Sequence, residues 1–408
     1  MNGDPARLRN LSDQVAIAGI GATPQGTFPA ADPYTLGIEA FRAALDDCGL
    51  KKQDVDGLIV QGPGNFSFVR MGEMLGIDPV VGMNFDLGGL ATGPLIQQAA
   101  LLLATGMCRT VALIYGNASR TEGRKFGGDT VVTPGREYAT AFYYYGLTSP
   151  GAASAFQARL HFETYGTTPA QLAAVPIAQR KHAALNPGAI KKDEPLTLAK
   201  YLAARYICEP LRLYDYCLIN DGGVALIMTT TDRARDLRTK PVLLAGLGRQ
   251  DTYRNSSLPS VSLWRETMPR AAEMAYGMAG AGRDAMDALM IYDSFSINIW
   301  FALENFGFCK PGEAGEFTQG GRIELGGALP VNTHGGHLAD SYMQGWLHQV
   351  EAVRQLRGEA KDMCPDWANG NHTYDPSVCR MVKDARLAFV SNPGTPTIQG
   401  GMLVLARD

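Results

Sequence analysis

The chain has 408 residues, 46% of them apolar, and a formal net charge of −3. That length implies more than one lobe and enough apolar surface for a large core. The charge balance excludes the basic footprint of a nucleic-acid binder, and no apolar run approaches the roughly 20 residues of a membrane span.

The N-terminus, Met1 to Gln14, is polar and lacks the apolar segment of a secretory signal. Val15–Thr23 reads as a buried strand, a helix is expected near Tyr34–Cys48, and a strand at Gly57–Gln61. A helix over about Gly93–Thr105 and a strand at Thr110–Tyr115 complete a β-α-β rhythm. From 118 to about 218 the rhythm breaks. This insertion holds Arg120-Thr-Glu-Gly-Arg124, an aromatic run Phe142-Tyr-Tyr-Tyr145 and two helix-like pieces. An insertion of this length shapes a substrate pocket or serves as a structural cap or dimer surface. The second half opens with a strand at Val242–Leu247. A helix near Trp264–Met278, a strand at Ala288–Tyr292 and a helix near Leu338–Leu356 follow.

The two halves echo each other. Gly49 precedes Asp56 by seven positions, and Gly280 precedes Asp287 by the same interval, each followed by an apolar strand. Asp221-Gly-Gly-Val-Ala-Leu-Ile-Met228 is similar to Gln399-Gly-Gly-Met-Leu-Val-Leu-Ala406. Two echoes in the same order imply duplication. The organisation expected is an N-terminal half from 1–117 plus 219–238, the insertion 118–218, and a C-terminal half 239–408.

The seven cysteines are scattered, odd in number and without a CxxC pair. That argues for reduced thiols in a cytoplasmic protein, against a disulfide framework or zinc ribbon. No spacing among the six histidines argues for a metal.

Residues 332 to 342 read Asn-Thr-His-Gly-Gly-His-Leu-Ala-Asp-Ser-Tyr. This segment resembles the Asn-x-x-Gly-Gly motif of the thiolase superfamily. In thiolases a catalytic histidine stands ten positions after that asparagine, and here Tyr342 stands there. Tyr292-Asp-Ser-Phe295 matches the thiolase Asn-Glu-Ala-Phe motif, with tyrosine in place of asparagine. Ile207-Cys-Glu-Pro-Leu-Arg-Leu-Tyr-Asp-Tyr-Cys217 with Asn220-Asp-Gly-Gly, Gly307-Phe-Cys-Lys-Pro-Gly-Glu313, and Val350-Glu-Ala-Val-Arg-Gln-Leu-Arg-Gly358 are similar to the lipid-transfer-protein branch. The resemblance spans Val15 to Leu405 and is nearest to steroid side-chain aldolases, retro-aldol lyases of β-hydroxyacyl-CoA thioesters. It implies a five-layer α-β-α-β-α fold of two β-α-β-α-β-α-β-β halves, an inserted loop domain and a homodimer. It also implies a small zinc-ribbon/OB-fold acyl-CoA-binding partner, and no cofactor beyond the CoA carried by the substrate.

The thiolase chemistry is altered at three places. Asp86-Leu-Gly-Gly-Leu-Ala-Thr-Gly-Pro94, the stretch of the nucleophilic cysteine, has none, and that position falls near Gly89 or Leu90. Cys108 lies past the helix. Phe389-Val-Ser-Asn-Pro-Gly-Thr-Pro396, where thiolases carry an acid/base cysteine, has none either. The third change is the tyrosine pair, with an ordinary pKa of about 10. Without a covalent nucleophile, acyl transfer loses its route. A retro-aldol step needs a base on the β-hydroxyl and donors for a thioester enolate. Tyr292 or Tyr342 is the base, and the other orients the substrate or reprotonates the enolate carbon. Gly88, Gly89 and Leu90 at a helix start, together with Gly335, Gly336, Gly400 and Gly401, are expected to approach the thioester or its oxyanion. His334 lines the pocket or bonds to backbone, and Asp293 is a catalytic candidate or a structural partner of the site. His337 is a weaker candidate on the expected helix before Tyr342. Asp86 is a second base or a helix contact, Arg120 and Arg124 meet CoA phosphates or solvent, and His182 packs within the insertion. His161, His348 and His372 show no partner in sequence. Two other readings stand beside the lyase: a thiolase-type acyltransferase with an unusual nucleophile, and a non-catalytic acyl-CoA or lipid-binding subunit.

Overall fold

The structure, a computed structural model, describes residues 9–62, 66–85, 88–124, 149–251, 261–359, 363–364, 374–392 and 399–408. Asp86, His372, the aromatic run at 142–145 and the loop 393–398 lie outside them.

The first half supplies β1 (Val15–Ala22), α1 (Pro33–Cys48), β2 (Gly57–Gln61), α2 (Phe68–Leu75), β3 (Val81–Phe85), α3 (Thr92–Ala104) and β4 (Thr110–Ala118). The described part of the insertion carries α4 (Pro150–Tyr165) and α5 (Ala174–Ala184). The chain then returns through β5 (Asp221–Thr230). The second half supplies β6 (Val242–Asp251), α6 (Val261–Ala279), β7 (Ala288–Ile291), α7 (Ile297–Asn305), α8 (Trp346–Arg357), β8 (Leu387–Asn392) and β9 (Gln399–Arg407). Among the described residues these strands join in the order β3-β2-β4-β5-β1-β6-β9-β8-β7.

The seam between the halves is short. β1 and β6 pair only at Ala16 with Leu243 and Ile17 with Val242. Elsewhere β2 runs parallel to β3 and β4, β8 runs parallel to β7, and β5 and β9 run antiparallel to their neighbours.

Apart from the edge strand β3 and the end of β6, the strands are buried on both faces, which is why they read as unbroken apolar runs rather than alternating patterns. Val111 and Leu113 point to a central core shared with Leu95, Ile96, Trp346 and Val350, whereas Ala112 and Ile114 point outward against Phe41 of α1. In the second half Leu403 and Leu405 face the same central core, and Met402 and Val404 face Ala271 and Ala275 of α6. Helices α3 and α8 thus lie between the two halves, α1 covers one outside and α6 the other. This is the α-β-α-β-α layering of the thiolase fold. Among the described residues no helix is long and apolar enough to cross a membrane.

Two expectations need correction. The helix read as Leu338–Leu356 is two pieces: a turn at Gly336–Ala339 and α8 from Trp346. Gln344 at φ 51° and Gly345 at φ 86° break it, because left-handed backbone cannot continue an α-helix. The cysteines are not all isolated: Cys364 and Cys379 form a disulfide, while Cys48, Cys108, Cys208, Cys217 and Cys309 are free. Spacing alone does not show that the chain folds back to bring these two together.

Candidate active site

The site begins at the end of β7. Asn332, first residue of the Asn-x-x-Gly-Gly motif, clamps Ile291 from both sides: its Oδ1 accepts from Ile291 N at 2.7 Å and its Nδ2 donates to Ile291 O at 2.8 Å. That fixes where the next residue, Tyr292, leaves the sheet. Tyr342 arrives on the broken segment between the helical turn and α8, its amide donating to Asn220 Oδ1 at 2.7 Å. The two hydroxyls meet at 2.7 Å, with the rings edge to face at 6.3 Å.

Beneath Tyr292 lies the start of α3. A Cβ at Gly89 would run into the Tyr292 hydroxyl, so only glycine fits there. The turn Gly88–Leu90 leads into α3, whose N-terminal dipole end favours a developing negative charge. Gly401 abuts Gly93 and Pro94 at the same helix start, and Gly400 is the preceding residue of β9, paired with Gln250. Asn392, at the end of β8, donates to Gly89 O at 3.2 Å. Gln61 donates to Gly88 O at 2.7 Å and to Gln344 Oε1 at 2.6 Å, tying the helix start to the Tyr342 segment.

Behind the phenols lies a buried polar layer that sequence reasoning did not assemble. Asp293, fully buried, accepts from Gln179 Nε2 at 2.7 Å, from the His337 amide at 3.1 Å and from His348 Nε2 at 3.0 Å. Gly345 N donates to His337 Nε2 at 3.0 Å, which leaves the hydrogen on Nδ1, 3.3 Å from Asp293 Oδ1. The His337 ring stands edge to face with both phenols, at 4.7 Å from Tyr292 and 5.0 Å from Tyr342. His348 and His334 continue the row away from the phenols.

Asp293, His337 and His348 each offer a ligand atom, all within 4.8 Å of one another, a set able to hold a divalent cation. Hydrogen bonds already account for the arrangement. The nitrogens facing the carboxylate carry hydrogens, since Gly345 N–H occupies His337 Nε2 and His348 Nε2 also contacts Ile291 O at 2.9 Å. Asp293 therefore stands as a supporting partner. His334 does not reach the phenols, and among the described residues neither of its ring nitrogens has a hydrogen-bond partner.

Gly335 and Gly336 were expected at the thioester. The space a side chain would need there is filled by Ala183 at Gly335 and by Asp293, Gln179 and Asn332 at Gly336. The lack of a side chain lets the main chain at Gly335 lie against Ala183 and at Gly336 against Asp293. His182 bonds to Asn332 O at 3.1 Å, and burial pushes it down to about 4. His161 bridges Thr167 and Glu304. Arg124 pairs with Glu122 on the exposed turn after β4 that also holds Arg120.

Burial holds both phenols above their ordinary range. Tyr292 is raised further by Tyr342, and Tyr342 by Cys217. Burial also keeps His337 neutral, well below its usual value, aided by His348. A thiol does lie near this pair. Cys217, whose amide donates to Ser294 O at 3.0 Å, is pushed up to about 12 by burial and by Asp293. Burial and the Asp293 carboxylate thus both disfavour its thiolate, the form in which a cysteine acts as a nucleophile.

A two-fold repeated five-layer scaffold with a polar cluster at the head of a buried central helix defines the thiolase fold, here with one phenol at the motif position of the imidazole, another at that of an asparagine, and glycine at the helix start. Comparison with known proteins agrees. The family description "Thiolase C-terminal domain-like" matches residues 250–370. The steroid side-chain-cleaving aldolase of Thermomonospora curvata is 34% identical over 371 residues, 88% of this chain and 94% of that one. The 17-hydroxy-3-oxo-4-pregnene-20-carboxyl-CoA lyase of Mycobacterium tuberculosis is 35% identical over 363 residues, 85% and 92% of the two chains. The solved Ltp2-ChsH2(DUF35) aldolase superposes with a TM-score of 0.85 at 32% identity, over 98% of this chain and 99% of that one. A monomeric SCP2-thiolase-like protein from Mycobacterium smegmatis, 18% identical with a TM-score of 0.70, shares the fold. The chain belongs to the steroid side-chain-cleaving aldolases of the thiolase superfamily, carbon–carbon lyases of acyl-CoA thioesters.

Proposed function

We propose that this aldolase cleaves the Cα–Cβ bond of a β-hydroxyacyl-CoA whose β-carbon belongs to a bulky alicyclic skeleton such as a steroid ring. The products are a ketone or aldehyde and a shorter acyl-CoA. The observation that carries the mechanism is the 2.7 Å contact between the Tyr292 and Tyr342 hydroxyls at the head of α3.

The reaction moves one proton from the β-oxygen to the α-carbon. As the β-oxygen lone pair becomes the carbonyl, the Cα–Cβ electron pair passes into the thioester as an enolate. One phenol accepts the β-hydroxyl proton while passing its own to the other, and the second phenol protonates the enolate carbon. Because burial disfavours a phenolate, a concerted relay through the pair suits this site better than a standing anionic base. Amides near Gly88 and Gly89 offer the enolate oxygen a favourable end of α3. The electrons stay within the substrate, so no cofactor is called for.

The substrate's steroid character is supported by the names of the two curated relatives. A second polypeptide is supported by the two-component name of the solved relative; that it is a small acyl-CoA-binding zinc-ribbon/OB-fold protein docked on a homodimer of this chain is part of the same proposal. A cytoplasmic setting, where CoA thioesters are turned over, is part of the same proposal.

The test is incubation of the chain with a tertiary β-hydroxyacyl-CoA, alone and with such a partner, followed by mass spectrometry. A ketone and a shorter acyl-CoA are expected. Tyr292→Phe and Tyr342→Phe should each lower kcat by about 10²–10⁴-fold, the usual worth of general acid–base help, with thermal midpoints little changed. Near-normal turnover in both variants, binding without cleavage, or acyl transfer to a thiol in place of cleavage would each overturn the assignment.

A further inference from the structure

We infer that His337 is a positioning residue: its Nε2 latches the Gly345 amide and its ring braces both phenols, so that one imidazole sets the distance between the Tyr292 and Tyr342 hydroxyls. The inference rests on the proposed reaction and adds to it a residue that no thiolase-type role covers.

The segment that carries Tyr342 needs such a device. It runs between a single helical turn and α8, and two consecutive residues, Gln344 and Gly345, adopt left-handed backbone. Left-handed conformations at non-glycine residues persist only where the surroundings enforce them. The surroundings here are side-chain hydrogen bonds: Asn220 takes the Tyr342 amide, Thr92 Oγ1 donates to Gln344 O at 2.8 Å, and His337 Nε2 takes the Gly345 amide at 3.0 Å. Of these three, only His337 also touches the catalytic rings, at 4.7 and 5.0 Å.

His337 is itself anchored to the other phenol's chain segment. Its amide donates to Asp293, the residue next to Tyr292, and its Nδ1 faces the same carboxylate at 3.3 Å. The carboxylate is held from behind by Gln179 and His348. Tyr292 and Tyr342 are thus joined twice, directly by their hydroxyls and indirectly through Asp293 and His337. The arrangement has the outline of an acid–base dyad, but the nitrogen that would take a substrate proton is occupied by a main-chain N–H. Its work is geometric.

Glutamine and asparagine separate the two nitrogens. In His337→Gln the side-chain amide reaches about where Nε2 stands and keeps an acceptor for Gly345. In His337→Asn it reaches only about where Nδ1 stands and loses that acceptor. A misplacement of about 1 Å at a reacting group is worth about 10²-fold. His337→Asn is expected to lose about 10²-fold in kcat with KM within about threefold, and His337→Gln to turn over at least about tenfold faster than His337→Asn. Equal turnover in the two variants, or a loss carried by KM, overturns the latch. Hydrogen exchange on the unmodified chain covers the case in which neither variant folds. The Gly345 amide should exchange only on global unfolding, and rapid exchange there refutes the latch. If the unmodified chain cleaves no β-hydroxyacyl-CoA, the proposed function fails, while the exchange result still decides the role of His337.

Discussion

Asp340 stands two residues before Tyr342, almost fully buried, with Asn186 Nδ2 donating to its Oδ1 at 3.3 Å. Burial, with Glu351 adding to it, pushes its carboxyl up to about 8 despite the opposing pull of Arg380 and Arg354. The folded chain therefore holds a proton that the unfolded chain releases near the ordinary carboxyl value of about 3.9. With more protons bound in the folded state, unfolding free energy falls as pH rises between those values. The contribution is complete below the ordinary carboxyl range and is lost by about pH 8. The buried histidines His334 and His337, pushed well below their usual value, act in the opposite sense and gain stability as pH rises through about 6.5. Asp340→Asn isolates the first effect. Its thermal midpoint relative to the unsubstituted chain should improve steadily from pH 5 to pH 8, and parallel midpoint curves would show that Asp340 does not titrate there. At this scale the sequence was informative only where a motif fixed a position. Tyr292 and Tyr342 could be placed by their offsets, whereas Asp340, Gln179 and His348 are joined by tertiary contacts that have no sequence spacing.

The element that decides the chemistry is the turn leading into α3. Thiolases use it to present a thiol. Here Gly89 leaves room for a phenol descending from β7. Gly89→Ala places a methyl group where the Tyr292 hydroxyl sits, so the phenol must move and the 2.7 Å pair must open. We expect a kcat loss of about 10²-fold, with a stability cost of about 1–3 kcal/mol from overpacking. Steady-state kinetics beside urea denaturation checks both, and undiminished turnover would show that the two hydroxyls need not touch. Strand β2 is legible in the sequence to the residue, and α1 and α3 to within one at each end, because Gly49 and the apolar runs mark them plainly. The break before α8 is not legible, since Leu338, Tyr342, Trp346, Val353 and Leu356 keep one apolar helical face across a segment that tertiary hydrogen bonds force open. The strand openings carry a further signal. Gly19-Ile-Gly21 and Gly246-Leu-Gly248 open the two halves alike, and each pair lets a helix backbone, α1 or α6, lie directly on the strand.

Duplication shows most clearly in what the repeated aspartates do. Asp56 accepts from Arg109 N at 2.9 Å and Thr110 N at 2.8 Å, where β4 begins. Asp287 accepts from Arg386 N at 2.7 Å and Leu387 N at 3.0 Å, where β8 begins. The same carboxylate starts the same parallel neighbour in each half, which gives the Gly-to-Asp interval seen in sequence its physical meaning. The halves are nonetheless not independent. They share the central helices, and Arg357 at the end of α8 reaches across the seam. Its Nη1 pairs with Asp47 at 2.8 Å, its Nη2 donates to Ala18 O at 2.9 Å, and its Nε donates to Lys240 O at 3.0 Å. The side chain is 3% exposed, and its guanidinium ties a second-half helix to β1, to the end of α1 and to the link between the halves. Arg357→Met keeps the apolar stem but strands two carbonyls and removes the partner of Asp47, whose side chain is 22% exposed, so a loss of about 1–3 kcal/mol is expected. Because the core between the halves is common to both, fluorescence of the four tryptophans, all in the second half, and far-ultraviolet circular dichroism of the whole chain should report one coincident urea transition. In Arg357→Met that single transition should shift to lower urea without splitting. Two separated transitions in either protein would show that the halves fold apart, and that the seam and Arg357 do not bind them into one cooperative unit.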